Sequence, residues 1–351
     1  MKNYLKVSFL ILSLFQFSCN GNRSSETTVE PTARVATEVV NLFSSRNFAP
    51  ILLETFQRNL ETEVRTVIAS PDSLIARLQN EGDVKSADLV IFGDLGDMFE
   101  LKNKGMLQPY STEVLEENIA SRNMDYEGTW IGLSKWAMAF AFSPAEVKET
   151  TINQYTDLAS PMWKGKVLLT QASNRANQTL VASMLATEGE HATKIWLEGV
   201  IANLAEAPLE NSFDVIKALN EKRGQLGLIN ASVKLSWQYS GNPDYFKEAD
   251  VIAMKYPVNG EGATYYNLTA AGLFLNTPNR HRAVQLVEYL TSKEVQESLS
   301  NSIQEYPVNL FALPNDFLIE LGGFSEKRLD FSAIAKKMDQ ARDLMKAAGW
   351  Q

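Results

Sequence analysis

Hydrophobic positions along the chain fall into short blocks whose spacing alternates between strand and helix. Residues 35–43 (VATEVVNLF) read as a first strand. Residues 49–61 (APILLETFQRNLE) place apolar side chains at helical spacing and lead into a second strand at 63–68 (EVRTVI). A short helix over 73–79 precedes residues 88–92 (DLVIF), an unbroken apolar run bounded by Asp88 and Gly93, as a strand covered on both faces requires. A helix over 98–104 stops at Gly105. This alternation predicts an α/β lobe.

A second alternation follows. Residues 130–133 and 136–142 are strand-like, and 166–169 and 226–229 are further short strands. Between them, 176–187, 190–204 and 212–222 have helical spacing. Residues 263–275 return as strand, 279–291 and 293–302 as helices, and 332–348 as one amphipathic helix stopped by Gly349. No internal repeat is visible. The pattern predicts two α/β lobes.

The N-terminus reads as an address. Lys2 and Lys6 precede an apolar run over 7–17 that is shorter than the roughly 20 residues a membrane span needs. Cys19, the single cysteine of the chain, follows that run, which suits cleavage before it and attachment of lipid to its thiol. The usual leucine three residues upstream is replaced by Gln16. Residues 1–18 are thus expected to be a lipoprotein signal, and the polar stretch 19–34 a flexible tether. The protein is expected to be exported as a cell-envelope lipoprotein whose contact with the membrane is this anchor.

Composition narrows the function. At 351 residues, with 45% hydrophobic and 21% charged residues, the chain suits two folded lobes rather than a disordered one. A net charge of −9 without a basic run argues against nucleic acid as a partner. One cysteine and two histidines, His191 and His281, leave no basis for a disulfide scaffold or a Cys/His zinc site. No G-x-S-x-G motif or paired-carboxylate arrangement suggests an enzyme.

From residue 38 onwards, many short motifs resemble, in order, the periplasmic ferric-iron-binding proteins of ABC transporters. Among them are VVNLFSSRNF (39–48), ADLVIFGDLGDMFELKNKGMLQP (87–109), GTWIGLS (128–134), YTDLASPMWKGKVLL (155–169), SNRANQTLVASML (173–185), LGLIN (226–230) and NRHRAVQLVEYLTSKEVQ (279–296). The resemblance implies a periplasmic-binding-protein type II fold, with two lobes joined by two crossover strands and a ligand cleft between them. Lobe 1 is expected over 35–129 and 262–305, and lobe 2 over 130–261 and 306–351. It further implies a monomer that hands its ligand to an ABC transporter permease after the cleft closes.

The family's iron-binding tyrosines do not carry over. Phe43, Phe142, Ser232 and Val233 stand where the family commonly has tyrosine. A phenylalanine keeps the ring and loses the phenolate oxygen that hard Fe(III) prefers. The expected ligand is therefore an anionic organic solute or a ferric chelate, with no certain cofactor. Fe(III) held by a rebuilt set, or a sensor lipoprotein that passes nothing to a permease, are the alternatives.

Candidate cleft residues follow from the matched positions. Ser44, Ser45, Arg46 and Asn47 follow the first strand, where α/β sheets bind ligands, and Arg46 suits an anion. Asn174, Arg175 and Asn177 open a helix whose free N–H groups suit an anion, with N-capping as the competing role. Asp94 follows a strand and either lines the cleft or, as the preferred reading, caps a helix. Ser134 and Trp136 lie at a crossover, where Trp136 stacks on a ligand or packs in the core. Ser232 follows the Asn230 strand. Tyr265 and Tyr266 sit at the second crossover, where alternation sends their rings to opposite faces. They are either relocated ligands or ordinary packing residues.

Overall fold

The computed structural model describes residues 38–47, 50–80 and 87–351. The signal segment, Cys19 and the tether lie outside the described residues. Ten strands are present among those residues: β1 Glu38–Ser44, β2 Thr62–Ile68, β3 Leu89–Phe92, β4 Leu107–Gln108, β5 Trp130–Phe142, β6 Val167–Leu168, β7 Leu226–Asn230, β8 Ala253–Lys255, β9 Tyr266–Phe274 and β10 Tyr306–Pro307. The principal helices are α1 Pro50–Leu60, α2 Pro71–Leu78, α3 Leu95–Asn103, α4 Glu113–Asn118, α5 Arg175–Thr187, α6 Glu190–Ala202, α7 Ser212–Asn220, α8 Ala231–Gln238, α9 Pro243–Asp250, α10 Arg280–Leu290, α11 Lys293–Ile303, α12 Asp316–Leu321, α13 Phe331–Ala335 and α14 Met338–Ala347.

Strand order is β2-β1-β3-β9-β5-β7-β6. β1 pairs in parallel with β2 and β3, and β6 with β7, whereas β9 and β5 run antiparallel to their neighbours. β5 divides its pairing along its length. Residues 130–137 pair with β9, and 138–142 pair with β7. One strand therefore belongs to two sheets in succession. Apart from Lys135, all its residues are buried, which matches its near-continuous apolar sequence WIGLSKWAMAFAF.

The sequence reading differs from the structure at several places, three of which bear on the crossing strand and the site. The expected break between 133 and 136 is a register shift between Gly132 and Ser134 inside one continuous strand. Gly132 allows it, because a Cβ there would stand 2.9 Å from the Asn123 carbonyl oxygen. The single helix expected over 332–348 is two helices joined by a turn at 336–337. Helices α8 and α9 follow β7 directly and were not predicted. Asn230 and Asn242 start them by accepting backbone N–H bonds from Ser232 (3.0 Å) and Asp244 (2.9 Å).

Glu305 fastens the two crossing strands. Gln304, at φ 55°, turns the chain out of α11 in the left-handed region, at a cost of roughly 1–2 kcal/mol. The Glu305 side chain that follows is fully buried. Its carboxylate accepts hydrogen bonds from Ser134 of β5 (2.5 Å) and Thr269 of β9 (2.8 Å), and pairs with the Arg46 guanidinium beyond β1. Strand β10 then pairs with β5 at Lys135 and Ser134.

Glu305→Ala leaves a half-buried guanidinium and two buried hydroxyls without their acceptor. A loss of roughly 3–5 kcal/mol is expected from breaking such a pair on one side. The urea midpoint of the chain measures it, and an unchanged midpoint would refute this role.

Candidate functional site

The C-terminal ends of parallel strands from both sheet regions converge on one polar cavity of about 340 Å³. Ser45 and Arg46 enter it after β1, Gly93 and Asp94 after β3, and Asn230 from the end of β7. Ser173, Asn174 and Arg175 reach it at the start of α5, and Trp136 from β5. Two larger concavities, of about 610 and 710 Å³, share Met124, Asp125, Tyr126 and Trp130. They collect neither the ends of parallel strands nor the predicted residues, so the smaller, charged cavity is the candidate site.

Close backbone approach shapes it. A Cβ on Gly93 would stand 2.6 Å from Arg46 Nε, so the guanidinium lies against bare backbone there. A Cβ on Gly96 would stand 2.7 Å from both Arg175 Cδ and Thr179 Oγ1, so α5 approaches α3 closely at this point. Trp136 donates its indole N–H to the Gly93 carbonyl at 2.9 Å, which fixes the ring as a wall of the cavity while it stays almost wholly buried.

Both arginines are paired within the protein. Arg46 is held by Glu305. Arg175 donates from Nε to Asp97 at 2.7 Å and lies 3.3 Å from Glu100. Asp94 caps α3, its Oδ1 accepting from the Gly96 N–H (2.7 Å) and from the Thr179 hydroxyl (2.8 Å). Oδ2 of Asp94 and Nε of Arg46 are buried and have no hydrogen-bond partner.

Burial raises the pKa of Asp94 above the usual carboxylate range, against the opposing pull of its hydrogen bonds and of Arg175. Asp97 is pushed up to about 7, first by burial and then by the neighbouring Asp94 carboxylate, with Arg175 opposing.

Of the predicted site residues, Ser45, Arg46, Trp136, Asn174 and Arg175 line the cavity. Asn174 also caps α5, accepting from the Ala176 N–H at 3.0 Å. The others are placed elsewhere. Ser44 is buried and exchanges hydrogen bonds with the Arg46 backbone. Asn47 is exposed. Ser134 is committed to Glu305. Asn177 is buried and donates to Thr170 and Gln171. Ser232 is buried and donates its hydroxyl to Asn230 at 2.8 Å.

Tyr265 donates to Glu188 at 2.8 Å and packs on Tyr155, with ring centroids 5.1 Å apart. Tyr266 donates to Asn123 at 3.3 Å and packs edge-on against Phe331. Burial raises the pKa of both phenols, which opposes their ionisation to metal-binding phenolates. The sequence reading gave Asp94 a capping role, which it has, and did not place Asp97 at the site. The signal for Asp97 was its spacing, three residues beyond Asp94 on the first turn of a helix.

Strand ends from two sheet regions around one cavity, with β5 and β9 crossing between them, define the two-lobed class of solute-binding proteins. The chain belongs to the family described as bacterial extracellular solute-binding protein, whose model matches residues 84–320. It is 30% identical over 315 residues to iron uptake protein A1 of Synechocystis sp., spanning 89% of this chain and 87% of that protein. It is 21% identical to the major ferric iron-binding protein of Neisseria meningitidis, over 86% of this chain and 89% of that one. Among solved structures, a Trichodesmium FutA (IdiA) protein in complex with iron and citrate ligands superimposes with a TM-score of 0.85 at 30% identity. That match covers 89% of this chain and all of the other. The ferric binding protein of Campylobacter jejuni gives 0.83 at 25% identity, with the same two coverages.

Two outcomes test this geometry. Gly96→Ala favours helix formation by up to about 1 kcal/mol, so α3 itself is not weakened. Its methyl nevertheless collides with Arg175 and Thr179. The radius of gyration from X-ray scattering is expected to rise as α5 and α3 part, and an unchanged value would show that the contact yields without opening.

The second outcome concerns pH. Native Asp97 holds its proton more tightly than the unfolded chain does, whose carboxyl has its ordinary value near 3.8. The native state therefore carries more protons between about 4 and about 7, and stability falls as pH rises through that window. Asp97→Asn is expected to flatten that fall in urea midpoints measured across the window.

Proposed function

We propose that this protein is the solute-capturing subunit of an ABC-type import system, closing its lobes on a small organic solute or on a metal already wrapped in a chelator. The observation that carries this reading is the cavity of about 340 Å³ between strand ends of both sheet regions, lined by arginines, carboxylates and Trp136 and by no tyrosine. A hard ferric ion left bare in that cavity would lack the phenolate oxygens suited to it. Among the described residues, no group of three His, Cys, Asp or Glu side chains is placed to hold a metal ion. The named relatives are iron uptake and ferric iron-binding proteins, which supports an iron chelate as one form of the cargo.

The rest of the assignment rests on the sequence and the packing. Cys19 after a short apolar run supports export and lipid attachment, with 20–34 as the tether. No helix among the described residues is long and apolar enough to cross a membrane. Lobe 1 comprises 35–129 and 262–305, and lobe 2 comprises 130–261 and 306–351. The packing of α14 against α5 and α6 supports placing the C-terminal segment in lobe 2. The partner is an ABC permease, which recognises the closed form, and the protein acts as a monomer.

The test is Fe(III) addition to the chain lacking residues 1–18, followed by visible spectroscopy and native mass spectrometry. No orange-red phenolate-to-iron absorption and no stoichiometric bare iron are expected. Tightly held bare iron would overturn the reading.

A further inference from the structure

The cavity is not neutral. Its lining contains Arg46 and Arg175 against Asp72, Asp94 and Asp97. Glu305 stands behind Arg46 and cancels it, and Arg175 is met by Asp97 and Glu100. Asp72 is open to solvent, and Asp94, only 7% exposed, has Arg175 near it but is in no ion pair of its own. The Oδ1 of Asp94 is satisfied by two neutral donors, and its Oδ2 has no partner and no contact with solvent. The Asn267 side chain, also beside Asp94, eases its burial without completing Oδ2. On another residue of the lining, Arg46 Nε is a buried donor without an acceptor, packed against the Gly93 backbone.

Each such group left unpaired costs roughly 1–3 kcal/mol. The arrangement without cargo is therefore penalised twice, once for a missing donor and once for a missing acceptor. A cargo that supplies both removes both penalties. A simple anion supplies only the acceptor, and it adds negative charge beside a buried carboxylate that Arg175 offsets only in part, which is costly away from water. A hydroxyl would satisfy Oδ2 without balancing its charge. A protonated amine does both.

We propose that the captured solute is a small zwitterion, with a protonated amine on Asp94 Oδ2 and an anionic or carbonyl oxygen on Arg46 Nε. This inference rests on the solute-capture reading and narrows it to a chemical class. Burial of Asp94, which raises its affinity for a proton, acts in the same direction, since a bound cation replaces that proton.

The test incubates the chain lacking residues 1–18 with a protein-free metabolite extract of bacterial cells. The complex is isolated by gel filtration, and the released solute is identified by mass spectrometry. Asp94→Asn is run in parallel. Asparagine keeps the α3 cap, because it is as good an N-cap as aspartate, and the thermal midpoint checks the fold. The wild-type chain is expected to enrich a solute with both a basic nitrogen and an acidic group. The variant is expected to retain it about tenfold less or worse, as loss of a charge-assisted hydrogen bond implies.

A captured solute without a basic nitrogen overturns this inference and leaves solute capture standing. So does equal retention by Asp94→Asn, within about twofold, less than a tenfold change worth 1.4 kcal/mol. Capture of nothing by the wild-type chain overturns the solute-capture reading and this inference with it. The identity of the wild-type solute is informative whether or not the variant folds.

Discussion

A single buried carboxylate joins the parts of this molecule that have to work together. Glu305 holds Ser134 of β5, Thr269 of β9 and the Arg46 guanidinium in one network. The two strands that cross between the sheet regions are thereby fixed to each other and to the first wall of the cavity. A buried carboxylate is tolerated only when its oxygens are met by donors, and here three different segments supply them. The same contact removes Arg46 Nη2 from the cavity, so the most prominent cation of the site is already half-committed before a ligand arrives. Mechanical integrity and ligand chemistry thus share one side chain.

The fold was largely legible in the sequence because its strands are short, apolar and bounded. β3 reads as LVIF between Asp88 and Gly93 and is entirely buried. What escaped the pattern was governed by backbone geometry. The register shift at Gly132 looked like a gap between two strands. Helix α8 carries little apolar periodicity, and α9 is short and polar with Ala249 as its buried residue, so neither stood out beside β7. The site was legible in part. Ser45, Arg46, Trp136, Asn174 and Arg175 reach the cavity because they lie at strand ends or a helix start, where topology alone places a residue at a crevice. Ser44, Asn177 and Ser232 were drawn from the same segments but bond to neighbouring protein groups instead, Ser232 to the Asn230 side chain. Pairing of Arg175 with Asp97, 78 residues away, had no local signature.

Phe43, Phe142 and Ser232, where the resemblance places the family's tyrosines, do not line the cavity and are absorbed into the frame. Phe43 is buried with the core, as is Phe142, so each ring keeps its packing while its oxygen is gone. Ser232 is absorbed into the cap of α8. The donors and acceptors that now face the cavity belong to loops after strands, where side chains change at little cost to the sheets behind them.

The continuity of β5 has a consequence for how the chain folds. Its thirteen residues serve one sheet with their first part and another with their second. A slip of one residue would turn every side chain of the strand to the wrong face in both sheets at once. Correct register in either half therefore enforces it in the other, and neither lobe has a complete sheet to fall back on when its neighbour melts. The shared strand is thus expected to couple the two lobes, so that heat or denaturant removes them in one transition where two separate lobes would give two.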